Sequence, residues 1–318
     1  MFAELLTVER SEALKELLDA CACKPSSWAL GGIRPEMLSD YLLMTIRSAV
    51  AQGGMAKTYL MGGKVVGMCV VSPDDWSSRE LAVRTYRLSH LIALGGSDAQ
   101  LMVKQLLLRE ALRDIGPNVC LVAEVPYADL TSINALERCG FTATQTSLML
   151  AKDLAQAKPT ISQPEPYEVR PAEPDDIDVL EDAVIAVPDG ILGWDLRLDR
   201  HARSRIHRDW LKWYAQQHSL LLAYDQGRPV GLLAERLRTD VSRLLGFGIG
   251  SIDLVATVPE YRNNGVANRL VEGTLSIFRN AGVRLAELSV HSADVPVAQG
   301  FQSEGFVTVA SSLTLTNL

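Results

Sequence analysis

Polar and apolar residues alternate from Ser251 to Thr257, with Ile252, Leu254 and Ala256 on one side of an extended segment and Ser251, Asp253, Val255 and Thr257 on the other. A period of two predicts a strand. Pro259 removes a donor and ends the pairing; Leu270, Leu275 and Phe278 then recur at helical spacing as far as Gly282, which suits a left-handed helix stop. The intervening turn, Arg262-Asn263-Asn264-Gly265-Val266-Ala267, has little bulk where the helix begins. Free N–H groups and the positive end of the helix dipole would face open space there, a place for phosphate or pyrophosphate. Residues 285–290 predict the next strand.

The first half has the same grammar. Leu5, Leu6, Leu14, Leu17 and Leu18 have helical spacing, and 35–51 predicts a second helix stopped by Gly53-Gly54. Strands at 58–60 and 65–71 flank Gly62-Gly63 as a hairpin. A strand at 84–93, a helix at 97–114, a strand at 119–125, a helix at 130–139 ending in Gly140-Phe141 and a strand at 146–150 follow. The Pro-, Gln- and Ser-rich stretch that comes next predicts a linker at 155–167 between domains 1–154 and 168–318. Beyond it lie a short strand at 169–172, helices at 175–186 and 202–216, and a hairpin of 220–224 with 229–236. Gly140-Phe141 recurs as Gly305-Phe306, Ser147-Leu148 as Ser312-Leu313 and Asp129 as Asp294, an offset of 165 positions (305 minus 140). Two copies of one α+β fold are expected.

Length agrees: 318 residues exceed the roughly 150 of one typical domain. A net charge of -7 lacks the basic footprint of a nucleic-acid binder, so no nucleic-acid partner is expected. Glu4, Glu9 and Arg10 interrupt the start of the chain, and no apolar run reaches the ~18 residues that cross a bilayer, so a cytoplasmic protein without membrane attachment is expected. The five cysteines all precede residue 140, are odd in number and lack metal-ligand spacing with histidine, which predicts buried thiols and no metal.

Arg262-x-x-Gly265-x-Ala267 after a strand ending in Val-Pro-Glu-Tyr, followed by strand, helix and Gly-Phe, resembles the acyl-CoA pyrophosphate loop of the GNAT acetyltransferase superfamily. The resemblance implies two tandem GNAT folds, each a mixed, mostly antiparallel sheet flanked by helices. It also implies acetyl-CoA, or another acyl-CoA, as co-substrate and an N-acetyltransferase acting on a small-molecule amine such as an amino sugar or specialised metabolite. Trp76-Ser77-Ser78 with residues 84–88, residues 129–141, and Gly193-Trp194-Asp195-Leu196 with residues 206–214 are similar to the dTDP-fucosamine N-acetyltransferase group, which has an eroded first unit and an intact second. Ala93-Leu94-Gly95-Gly96-Ser97-Asp98 holds the place of the loop in the first copy, without the basic residue and with an aspartate that repels phosphate. That copy is expected to have lost cofactor binding.

The resemblance lays the pantetheine arm along Val255, Ala256, Thr257 and Val258. It gives the pyrophosphate to the amides of Asn263, Asn264, Gly265, Val266, Ala267 and Asn268, with Arg262 as supporting charge. Asp294 and Phe301 stand on the cofactor side. Asp253, sharing a strand face with Ser251 and Val255, is the expected base, and Glu235 on the adjacent hairpin strand the reserve. Trp194, Asp195, Trp210 and Tyr214, with Arg205 and His207, are the expected acceptor-side residues. Asp294 stands where the family usually has asparagine, and also suits a helix N-cap.

Phe301 stands where many family members carry the tyrosine that protonates the leaving thiolate. A missing general acid costs about 10²- to 10⁴-fold, whereas positioning two bound reactants is worth effective molarities of about 10⁵ M or more; transfer therefore remains the leading expectation. The alternatives are a catalytically inactive CoA-binding regulatory module, and acyl transfer to a carrier-protein thiol or thioester decarboxylation. A homodimer is compatible with each.

Overall fold

The computed structural model describes residues 14, 17–19, 35–150, 154, 167–177, 200–239, 242, 246–292, 295–303 and 305–317. Contacts divide the chain into two compact units, Met1–Thr146 with Thr308–Leu318, and Ser147–Val307.

The first unit opens with α1 (Pro35–Ala51), β1 (Met55–Met61) and β2 (Lys64–Pro73). The hairpin turns at Gly62 and Gly63, whose φ of 59° and 80° suit glycine. A short helix that hydrophobic spacing does not announce, α2 (Asp75–Leu81), is capped by the Asp74 carboxylate accepting from Ser77 N–H at 2.9 Å. Then come β3 (Arg84–Ala93), α3 (Ser97–Ile115), β4 (Val119–Pro126), α4 (Leu130–Arg138) and β5 (Thr142–Leu150). The strand order is β1-β2-β3-β4-β11-β5, where β11 (Phe306–Asn317) is the last strand of the chain. Residues 308–317, which the linker composition assigns to the second domain, belong here because Ala310 to Asn317 pair antiparallel with β4.

Apolar residues of α3, among them Leu107, Leu108 and Ala111, pack on one sheet face with Val71, Leu88, Leu121 and Phe141. On the other, Leu14, Leu17, Leu18 and Ile46 meet Met68, Val70 and Ile92. Cys69 and Cys120 are buried free thiols, the former pushed up to about 12 by desolvation, while Cys139 is half-buried and Cys21 and Cys23 lie outside the described residues.

The second unit contains β6 (Glu168–Pro171), a 3-10 turn (Pro174–Asp176), α5 (Arg200–Gln216), β7 (Leu220–Asp225), β8 (Arg228–Leu237), β9 (Gly248–Thr257), a second 3-10 turn (Pro259–Tyr261), α6 (Val266–Asn280), β10 (Val283–His291) and α7 (Val295–Ser303). Its strands run in the order β10-β9-β8-β7-β6, antiparallel except for the parallel pair β9 and β10. The first unit likewise has one parallel pair, β3 with β4, beside antiparallel neighbours. Both are therefore α+β with mixed, mostly antiparallel sheets. The helix expected at 175–186 falls largely outside the described residues, as does the expected linker. Among the described residues no helix is long and apolar enough to cross a membrane.

Candidate active site

The site begins where two strands part. Parallel pairing of β9 with β10 runs from Gly248 and Val283 to Ile252 and Leu288, and stops. Beyond Ile252, β9 stays paired with β8 as far as Thr257, so its other edge carries backbone groups not taken up by β10. At the parting point Leu254 faces Ala234 and Ile252 faces Glu235, which leaves Asp253 as the extra residue of a β-bulge.

The bulge corrects the alternation expected for this strand. Ile252 packs with Phe278 and Leu270 of α6, whereas Leu254 and Ala256 pack with Leu211 and Tyr214 of α5. Val255 is back among the residues packed toward α6. Asp253 therefore shares its side with Ser251 and Leu254, and not with Val255 as strict alternation requires.

The Asp253 carboxylate is well supplied with donors. Ser251 Oγ donates to Oδ1 at 2.6 Å and the Tyr214 hydroxyl to Oδ2, while Arg236 forms an ion pair with Nε 2.7 Å from Oδ2. Burial, reinforced by the Asp253 charge and its hydrogen bond, raises the Tyr214 phenol well above its ordinary value, so Tyr214 stays a donor. Tyr214 is buried, lies 4.4 Å between ring centroids from Trp210 and meets the exposed Trp213 edge-on at 4.8 Å. Trp210 is thus core packing and Tyr214 core packing with a polar tip. Ser251 shares the strand face the sequence assigns it, whereas Arg236 escapes the sequence reading because only strand register brings it to Asp253.

Glu235 is 7 % exposed, faces Ile252 across the strands and is raised to about 7 by desolvation and then by the nearby Asp253 charge. The carboxyl is thus enclosed by the sheet and not on a solvated strand face.

On the far side of β9, Pro259–Tyr261 leads into Arg262, Asn263 and Asn264, all exposed, and then Gly265. Gly265 caps α6 with φ 83°, and Asn263 is also left-handed at 63°. The first bond of the helix runs from Arg269 N–H to Gly265 O, so the amides of Val266, Ala267 and Asn268 have no acceptor within the helix. Gly265 lacks a side-chain cap, and Arg262 Nε reaches back to Thr257 O at 3.4 Å. Close seating of this turn depends on Gly231, where a Cβ would lie 2.6 Å from Val266 Cγ1. Unpaired amides, a helix N-terminus and an exposed arginine are a donor set that fits pyrophosphate.

On α7, Phe301 packs edge-on to Phe306 at 5.5 Å and joins Val255 and Ala298 beside the α6-side core. His207 is buried, and His291 and Val258 are half-buried. Trp194, Asp195 and Asp294 lie outside the described residues.

The first unit repeats the frame without the opening. Pairing of β3 with β4 stops at Leu88 and Ala123, and β2 faces a bulge at Ser89. There, however, α3 packs on α4, and the fully buried Lys104 bonds both oxygens of Asp129 at 2.9 Å and Thr131 Oγ1 at 2.7 Å. Burial acts to raise the Asp129 carboxyl, but hydrogen bonds from Ser132 and Lys104 prevail and hold it below the usual range. Ser132 Oγ also reaches Leu91 O on the edge of β3 that β4 has left, at 3.3 Å. In the second unit α6 and α7 barely meet among the described residues.

Residues 191–306 match the family model described as Acetyltransferase (GNAT) family. No curated protein matches the sequence. Among similar solved structures, a GCN5-related N-acetyltransferase from Sphaerobacter thermophilus is 14% identical, with 99% of this chain and 95% of that chain covered at a TM-score of 0.59. A GNAT-family acetyltransferase from Colwellia psychrerythraea is 12% identical over 100% of both chains, at 0.54. A tandem GNAT protein from the clavulanic acid biosynthesis pathway is 15% identical, covering 100% and 98%, at 0.52. At such identities the likeness speaks for architecture: the chain has the tandem GNAT fold, with the family's sequence signature in its second half.

Proposed function

We propose that the second unit is an acyl-CoA-dependent N-acyltransferase that moves an acetyl or other acyl group to the amine of a small molecule, an amino sugar or specialised metabolite. The observation that carries this reading is the departure of β9 from β10 after Ile252, next to a turn of unpaired amides at Gly265. Amides of Asn263 to Asn268 and Arg262 hold the pyrophosphate; the edge of β9 that β10 leaves, from Val255 to Thr257 and on to Val258, holds the pantetheine arm. Bound acyl-CoA supplies an activated thioester.

Glu235 takes the proton from the acceptor ammonium, directly or through a water, because a carboxyl titrating at about 7 is matched to that task. Asp253, already accepting from Tyr214 and Ser251 and paired with Arg236, organises the acceptor side. Phe301 offers no proton, and the thiolate, with a pKa near 8.5, departs unprotonated at modest disadvantage. The first unit binds no acyl-CoA, and the chain works in solution in the cytoplasm.

Calorimetry with coenzyme A tests binding, and mass spectrometry of an amine panel with acetyl-CoA tests transfer. Binding that is abolished in Gly265→Glu, with acetylated product in the panel, supports the proposal; absence of heat from the wild-type chain refutes it. Phe301 favours one second reading, a CoA-binding module without turnover. That reading predicts saturable binding and no product from any amine.

A further inference from the structure

We infer that Arg236 is an anion-binding residue of the acceptor subsite, and hence that the acceptor is an amine carrying a carboxylate or phosphate. This deepens the acyltransferase reading and rests on it only in assigning the anion to the acceptor.

Arg236 sits on β8 beside the β9 bulge with its side chain 50% exposed, tied to Asp253 Oδ2 through Nε at 2.7 Å. An exposed arginine ordinarily sweeps a wide volume. Here Nε is anchored to a carboxylate that is 15% exposed and itself fixed by the Ser251 and Tyr214 hydroxyls. The guanidinium is therefore held beside Asp253 by its ion pair, while its terminal N–H groups have no partner among the described residues. A fork of donors ion-paired at one end, at the rim of a site, is the arrangement that captures carboxylate or phosphate bidentately.

Arg238, two residues along the strand, does not compete for the same anion, since its guanidinium is engaged by Glu287 Oε1 at 2.6 Å. Trp213, 50% exposed and edge-on to Tyr214, adds an apolar surface adjoining the ring whose hydroxyl Asp253 holds. Glu235 follows Ala234 at the parting point, one residue before Arg236. The titratable and charged groups around the fork are thus Asp253, Glu235 and Tyr214, and the cation is met by one fully engaged carboxylate. A molecule with an anion at one end and an amine at the other matches this order of charges.

A purely structural role, in which Arg236 only orients Asp253, makes a different forecast, so the test compares matched amines. Glucosamine 6-phosphate is set against glucosamine, and 4-aminobutyrate against butylamine, by calorimetry with and without saturating coenzyme A. The expected result is that at least one anionic amine binds about ten- to a hundredfold tighter than its neutral twin, the range for hydrogen bonds to charged groups. Arg236→Gln abolishes that difference, Arg236→Lys keeps part of it, and both leave the coenzyme A titration unchanged. The phosphate and carboxylate arms tell which anion is preferred.

Equal binding of both twins, binding of none of the four, or a loss in Arg236→Gln that is the same for neutral and anionic amines overturns the inference. A wild-type chain that ignores coenzyme A refutes the acyltransferase reading, and the amine pairs measured without it still decide this one. Thermal melts of both variants, expected at the wild-type temperature for a half-exposed side chain, show that folding is not what is being read.

Discussion

Glu235 and Asp253 are carboxylates in opposite surroundings: Glu235 is buried and raised, whereas Asp253 accepts from two hydroxyls and pairs with Arg236. Glu235 is raised to about 7 in the folded chain, so the folded state holds its proton where the unfolded chain has released it. Stability is greatest below the unfolded value near 4.3, falls as pH rises toward about 7, and is level above. Glu235→Gln should flatten this slope in urea unfolding measured from pH 4.5 to 8. In acetyl transfer the same residue predicts a rate rising to a plateau above about pH 7, and Glu235→Gln should lose about 10²- to 10⁴-fold. Asp253→Asn should instead weaken acceptor binding more than it changes that profile.

At Gly265, with φ 83°, alanine is expected to cost about 1 kcal/mol in unfolding free energy, and glutamate to add charge repulsion that coenzyme A calorimetry reads as lost affinity. The glycine, the arginine and the asparagines of this turn were legible because turn chemistry is local. The bulge at Asp253 was not, because a one-residue irregularity shows only against a partner strand whose register the sequence does not spell out.

Among the elements, paired helices explain why one opening is filled and the other is not. Lys104 is buried with Asp129 and Thr131, so Asp129→Ala leaves an ammonium enclosed with a single hydroxyl acceptor. Chemical denaturation should show a loss of about 3–5 kcal/mol. Gly231→Ala places a methyl 2.6 Å from Val266 and 3.1 Å from the Ala256 carbonyl. It should lose about 1–3 kcal/mol and weaken coenzyme A, because the crowded Val266 is the first residue of α6, next to the Gly265 turn.

Long, strongly patterned elements such as α1, β3 and α3 stand within a residue of their expected bounds. The seven-residue α2 did not announce itself, since its cap, Asp74, and two turns give too little period to count. Lys104 is a further case: a lysine on a helix reads as solvent-facing until a partner on another helix is known.

For the whole molecule, calorimetry should find one coenzyme A per chain. The β3–α3 turn is short and followed by the exposed Asp98, and Lys104, Asp129 and Ser132 occupy the cleft behind it. A stoichiometry of two would contradict this.

The repeat itself was legible from Gly-Phe and Ser-Leu pairs at constant spacing, and so was the α+β class. The place of the last strand was not. Local pattern makes residues 306–317 a strand, but which neighbour it adopts is settled by β4, nearly two hundred positions upstream in the chain.

That pairing has a bearing on biosynthesis. While the ribosome is still translating, the amino-terminal half lacks β11, so β4 waits with an open edge until residues 310–317 have emerged. A nascent fragment stopped after residue 154 should aggregate, and a synthetic peptide of residues 306–317 supplied in trans should rescue it.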